Sequence, residues 1–398
     1  MANRKEHMEK ENTRERNRQD YKEKLAQHRL SRLYRILVLA GCFLLFVLAF
    51  ALQFGRHVYT SYDVMESVVV DKVANATDVP LGEGILTYSK DGAHYNTMKG
   101  EEIWNQTYEM QEVILANCRD VAALGAYNGR TIYLTNTKEI MGTISTNMPI
   151  RNLTVSQTGL VTAVLTDAEV TWINTYDKKG QLLYKGQAAM DASGYPISIS
   201  LSPSGELLCV SYLYVDAGLM KTNVVFYNFG EIGANYNDHL TGGYIYNDVM
   251  VPYVQFMDDE ICFAVGDGRL VFYKGAHAPE ELASYLYDGE VQSVFHNEEY
   301  VGLVFISDDV NTKYEMIVYD KDGEQVGNYR FDIEYTDIFF TSNGFVAYNE
   351  TECLIMTMRG REKFNGQFNR PVNFMFPASG AYRYTLVTDD GIEIIQLK

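Results

Sequence analysis

The chain has 398 residues, 46% of them hydrophobic and 22% charged, with a formal net charge of −18. That is a globular composition, and so acidic a chain repels nucleic acid, which removes nucleic acid from the partners to consider. The charge is also uneven: residues 1–35 hold eleven Lys/Arg against six Asp/Glu, so the other 363 residues carry −23.

Residues 1–33 are charged and nearly free of large apolar side chains, the signature of a solvated basic tail. Residues 34–55 follow as an apolar segment, with an uninterrupted run from Ile36 to Leu52. Its membrane-anchoring side chains are Ile36, Leu37, Leu39, Phe43, Leu44, Leu45, Phe46, Leu48, Phe50 and Leu52. At about 1.5 Å per residue the run, extended to Phe54, approaches the roughly 30 Å of a bilayer core, which predicts one transmembrane helix as the contact with lipid. Arg32 and Arg35 precede it, whereas Asp63, Glu66 and Asp71 follow. Positive charge stays inside, so the N-terminus is expected in the cytoplasm and the C-terminal domain outside the plasma membrane. The Ala49-Phe50-Ala51 triplet has the form of a cleavage site but lies within the apolar run, and the basic stretch before it is long for a signal peptide. An uncleaved signal-anchor is therefore expected.

Residues 56–78 read as a juxtamembrane linker containing one strand-like segment, Glu66–Lys72. From residue 79 to 398 short apolar runs alternate with turn signals every 8 to 12 residues, which argues for an all-β domain. A repeat of four strands in about 40 residues decides the architecture. Units begin at Val113, Ile150, Pro196, Val251, Val291, Tyr335 and Pro371, and one more precedes Val113. A four-stranded blade cannot bury both faces alone, whereas a ring of blades does so, which predicts a β-propeller of seven or eight blades, eight favoured. The last unit has three strands, and Glu66–Lys72 could complete it or begin the first blade.

The turns Leu201–Gly205 (LSPSG), Tyr319–Gly323 (YDKDG) and Tyr176–Gly180 (YDKKG) resemble those of the WD40/quinoprotein-like class of propellers. Trp-Asp dipeptides are missing, the only tryptophans being Trp104 and Trp172. The tryptophan-docking repeats of quinoproteins are missing too, so the resemblance implies no quinone and no cofactor is expected. The layout of basic tail, single helix and propeller is similar to that of membrane-anchored propeller proteins of Gram-positive anaerobic bacteria, which implies a cell-surface setting.

No catalytic motif stands out, and no Cys/His spacing suits a metal. Cys118, Cys209, Cys262 and Cys353 are widely spaced in apolar runs, which favours buried free thiols but leaves disulfides open. The candidate binding residues are aspartates between second and third strands: Asp216, Asp267, Asp308, Asp309, Asp389 and Asp390. Such turns share one rim of a propeller, where carboxylates would attract a basic partner; equally, Asp suits tight turns. The sequence thus predicts a non-enzymatic scaffold binding a protein or cell-envelope partner. The alternative is a propeller hydrolase or lyase acting on glycans through paired rim carboxylates.

Overall fold

The computed structural model describes residues 37–47, 57–70, 75–167, 170–188, 193–247 and 249–398. The chain divides into two compact units, Met1–Val58 and Tyr59–Lys398. In the first, residues 37–47 are helical, and Leu37, Leu39, Phe43, Leu44, Leu45 and Phe46 are exposed. No helix among the described residues is long and apolar enough to cross a membrane. Ile36, Leu48, Phe50 and Leu52, like the basic tail, lie outside the described residues.

The second unit is a β-propeller of eight four-stranded antiparallel sheets. Blade 1 spans Thr77–Thr107, blade 2 Val113–Ser145, blade 3 Ile150–Ala188 and blade 4 Tyr195–Asn247. Blade 5 spans Glu280–Leu286 and the three strands before it from Tyr253, blade 6 Ser293–Phe331, and blade 7 Asp337–Gln367. Blade 8 contributes Val372–Pro377, Arg383–Thr388 and Gly391–Leu397, and its outer strand is Tyr62–Val69. This strand pairs with Gly391–Leu397 from Tyr62↔Leu397 to Val69↔Gly391 and closes the ring. The segment suspected from the sequence therefore completes the last blade, and Thr77–Leu81 begins the first.

Burial follows strand position. The second strands, flanked on both sides within their sheet and covered on both faces, are buried almost throughout, as in Ile261–Gly266 and Gly344–Tyr348. Outer strands alternate, as in Leu182–Ala188. The apolar core is divided among the blade junctions, one cluster to each. Each side chain of Leu size buried there contributes about 1.5–3 kcal/mol over its exposed state. The junction of blades 8 and 1 has the thinnest cluster, Ile85, Phe376, Val387 and Ile392.

Two devices recur around the ring. Every blade has a register shift between its two outermost strands, for example at Tyr95/Asn96, Thr175/Tyr176 and Val64/Glu66. Such a bulge adds twist at the outer edge. In addition, an aromatic side chain of one outer strand donates to a carbonyl in the third-to-fourth turn region of the next blade. Trp104 Nε1 reaches the Asn136 carbonyl at 2.7 Å, Tyr244 the Pro279 carbonyl at 3.0 Å, and Tyr329 the Met358 carbonyl at 2.7 Å. Tyr285 donates likewise to Gly323. Near the axis, hydroxyls join the innermost strands: Leu201 N–H donates to Thr154, Val254 N–H to Ser198 and Phe256 N–H to Ser200.

Antiparallel connectivity fixes the two rims. Second-to-third turns and interblade crossings share what we call the upper rim; first-to-second and third-to-fourth turns share the lower rim. Tyr62 and Lys398 both sit at the lower rim, where Lys398 N–H donates to the Ser61 carbonyl at 2.8 Å.

Candidate functional site

All six aspartates lie at second-to-third turns and therefore on the upper rim, but in blades 4, 5, 6 and 8 rather than in one cluster. Three are held by cations of their own neighbourhood. Asp216 pairs with Lys221 at 2.8 Å, Asp390 with Arg370 at 3.2 Å, and Asp309 with Arg330 at 3.5 Å. Asp309 also accepts from the backbone and side chain of Asn311, and these bonds, with Arg330 behind them, hold its carboxyl below the ordinary range. Asp389 accepts from Asn373 at 2.8 Å. Asp267 and Asp308 are exposed and make no ion pair among the described residues. Among those residues no three of His, Cys, Asp and Glu are placed to hold a metal ion.

The same rim carries apolar surface that the sequence reading did not find. The central strands of blade 4, Leu207–Asp216 and Leu219–Asn228, are paired along their full length and outrun the blade's first strand. Their tip exposes Val215, Leu219 and Met220 around a two-residue turn, Ala217-Gly218, in which both φ values are positive. Toward blades 5 and 6, Leu286 is 77% exposed, Ile306 56% and Val310 98%. Between these two blades lies a cleft of about 550 Å³ lined by Leu286, Tyr287, Asp288, Glu290, Ile306 and Asp308. The upper rim thus exposes an apolar hairpin tip on blade 4 and, between blades 5 and 6, a cleft that combines apolar side chains with carboxylates.

The lower rim opens onto the central channel, a cavity of about 470 Å³ walled by the first strands of blades 2 to 6. Arg119, in the first turn of blade 2, reaches across it: its Nε donates to Glu298 of blade 6 at 2.8 Å and its Nη1 to Gln157 of blade 3 at 2.6 Å. Among the described lining residues Glu298 is the carboxylate, and it is taken up by this pair. His296 lines the lumen beside Tyr253 and Phe263. Its ring is open to the channel interior, yet protein surrounds it, and that enclosure lowers its imidazole to about 4, so the ring is neutral at neutral pH. Cys118 is partly buried at the same mouth, and burial raises its thiol against the opposing pull of Arg119. Cys209, Cys262 and Cys353 are buried free thiols.

The chain matches, over residues 55–397, the family described as "Family of unknown function (DUF5711)", and it belongs to that family. Comparison with curated proteins finds no match. Among solved structures it is similar to Chaetomium thermophilum Sqt1 bound to the N-terminus of the ribosomal protein L10, at 11% identity and a TM-score of 0.50, covering 86% of this chain and 100% of that one. It is also similar to BamB from Moraxella catarrhalis, at 11% identity and a TM-score of 0.48, covering 85% and 100%. The likeness to Sqt1 is one of fold, a β-propeller, in keeping with the resemblance to the WD40-like class carried by the LSPSG, YDKDG and YDKKG turns.

Proposed function

We propose that this chain is a membrane-anchored, extracytoplasmic propeller that serves as a non-enzymatic docking platform, receiving a basic and apolar protein segment on the upper rim of blades 4 to 6. The observation that carries this reading is the exposed apolar surface of Val215, Leu219, Met220, Leu286, Ile306 and Val310, on a rim that also carries the exposed carboxylates Asp267 and Asp308. Scattered apolar residues need no explanation, but an exposed apolar hairpin tip together with a cleft lined by apolar side chains and carboxylates has features of a protein interface. Sqt1, a propeller of the same fold, is bound to the N-terminus of a ribosomal protein, which fits a chain segment as the occupant. The tether rests on the apolar run Ile36–Leu52 and on the basic charge that precedes it.

Two experiments test the two halves. Crosslinking in intact cells should recover a partner with the wild-type protein and lose it in a Leu219→Asp/Val310→Asp variant that retains its melting temperature. Undiminished recovery, or recovery of the bait alone from the wild type, would count against the platform. For topology, a membrane-impermeant reagent applied to whole cells should label cysteines introduced at Lys179 and Asp322 and spare one introduced at Lys22. The reverse pattern would overturn the orientation.

The glycan-hydrolase reading needs two carboxylates facing each other across roughly 5–9 Å. At the channel mouth Glu298 is paired with Arg119, and Asp259 beside them accepts from the Ser204 N–H at 2.6 Å, so neither carboxylate is left free for acid or base work.

A further inference from the structure

The junction of blades 3 and 4 differs from four others. At the junctions of blades 1 and 2, 4 and 5, 5 and 6, and 6 and 7, an outer-strand aromatic donates to the next blade's third-to-fourth turn. Tyr184 occupies the comparable place in blade 3, on the outer strand Leu182–Ala188. The turn it meets is replaced by residues 229–239, which fold into two single 3-10 turns, Gly233–Asn235 and Asn237–His239. Asp238 and His239 both adopt positive φ there, at 52° and 62°, a conformation that side chains with a Cβ seldom take. The His239 Nδ1 donates to the Asn228 carbonyl at 3.1 Å.

The result is a pocket of about 380 Å³ on the lower rim. Tyr184, Phe229 and His239 form one side, with ring centroids 4.8 Å, 5.9 Å and 6.0 Å apart and the imidazole edge-on to both. The Tyr184 hydroxyl has no hydrogen-bond partner among the described residues. Glu206 enters from the first turn of blade 4, its carboxylate lying against Gly230, where a Cβ would meet Oε2 at 3.4 Å. Asp238 is close enough to raise the Tyr184 phenol further, beyond the larger effect of burial and the influence of Tyr227. Neither Glu206 nor Asp238 makes an ion pair among the described residues, whereas Asp216, Glu298, Asp309 and Asp390 all do.

We propose that this pocket binds an organic cation, an ammonium or guanidinium group held against the Tyr184 and Phe229 rings with Glu206 as counter-ion. Aromatic faces attract cations through their quadrupole, and an unpaired carboxylate beside them supplies a charge that a neutral ligand would leave unused. The strained 229–239 segment is what opens the space, and the channel and the upper rim take no part. Two sources share this chemistry: a free small amine, and a Lys or Arg side chain of a protein.

The test uses the full-length chain in detergent, titrated by calorimetry and ligand-observed NMR with tetramethylammonium, with an acetylated arginine amide, and with neutral neopentanol. Saturable binding of a cation is expected, weakened roughly three- to tenfold by Glu206→Gln and by Phe229→Leu, with neopentanol failing to compete. Preference for tetramethylammonium assigns a free amine, and preference for the arginine amide assigns a side chain. Equal binding of neopentanol, no saturable binding, or binding indifferent to Glu206→Gln would each overturn the proposal. Glu206 is exposed, so its variant is expected to fold, and an unchanged melting curve verifies this.

Discussion

The strand that closes the ring can be tested at one atom. Gly391 begins the third strand of blade 8 and pairs with Val69 of the closing strand. Its φ is 142°, and a Cβ there would stand 2.0 Å from the Val68 carbonyl oxygen and 3.0 Å from the Val69 Cα. Both obstacles are backbone, so no rotamer change relieves them. Gly391→Ala therefore incurs about 1–3 kcal/mol of backbone strain, or else pushes Val68 and Val69 away and forfeits about 1 kcal/mol for each hydrogen bond broken. A total near 3 kcal/mol corresponds to roughly a hundredfold change in the local opening constant. Hydrogen exchange read by mass spectrometry should show residues 62–69 and 391–397 exchanging faster by about that factor, with the blade 3 interior strand Val161–Thr166 little changed. Gly360→Ala is the control: its φ is 70° but nothing lies within 4 Å of the added Cβ, so only a conformational cost of about 1 kcal/mol remains. Wild-type exchange at the seam of Gly391→Ala, or equal acceleration in blade 3, would refute closure of the ring through the Val68–Gly391 contact.

Three further outcomes are expected. Tyr329→Phe removes the bond to the Met358 carbonyl across the junction of blades 6 and 7 and should cost about 1 kcal/mol in urea unfolding, with the slope unchanged. His296 is held below its unfolded value, so the unfolded chain takes up a proton first as pH falls. Stability should therefore drop between about pH 6.5 and pH 4, and His296→Gln should flatten that part of the melting-temperature profile. Asp337 has the opposite sign: burial raises its carboxyl, against bonds from Ile338 N–H and the Tyr348 hydroxyl. The fold is thereby burdened at neutral pH and relieved on acidification, and Asp337→Asn should remove that relief, so that stability falls more steeply from pH 7 to pH 4 in the same measurement.

Much of the ring was legible because its signals are local. The turns SQTG, SPSG, TSNG and PASG mark where first strands end, and the apolar runs after them mark the second strands. Units predicted to begin at Val113 and Ile150 begin there in the structure. One local signal was overlooked. The outer strands pair an aromatic with a small residue two places away, as Tyr184 with Gly186, Phe364 with Gly366, Gly242 with Tyr244 and Gly327 with Tyr329. The small residue makes room for the ring: a Cβ at Gly366 would stand 2.9 Å from Phe364, and one at Gly186 2.8 Å from Tyr184. The site was less legible because its partners are distant in the chain. Arg119 and Glu298 are 179 residues apart, and no spacing rule joins them. Strand order alone puts the six aspartates at second-to-third turns, but Arg330 and Arg370, which pair with two of them, belong to strands and links that the turn pattern does not include.

What separates surface from scaffold in this ring is where the repeat is broken. Non-glycine residues at positive φ among the described residues are Asn75, Arg119, Asn128, Ala217, Asp238, His239 and Tyr382. Three of them belong to blade 4 and a fourth is the residue that spans the channel mouth, so strain concentrates beside the surfaces proposed to act. Each such residue costs on the order of 1 kcal/mol and persists only where its surroundings over-determine it. Blade 4 also exposes Val215, Leu219 and Met220 at its hairpin tip, burying nothing in return. Its third-to-fourth connection, residues 229–239, is longer than the tight turn at Asp320–Gly323 that does the same job in blade 6. The hairpin tip adds nothing to the ring's core, whereas Phe229 of the longer connection packs on the cluster between blades 3 and 4. Shortening the hairpin by removing Val215–Met220 and closing it with Asn-Gly should therefore leave the unfolding midpoint of the ring within about 1 kcal/mol of wild type while abolishing partner recovery. A variant that loses the fold would show instead that the hairpin belongs to the scaffold.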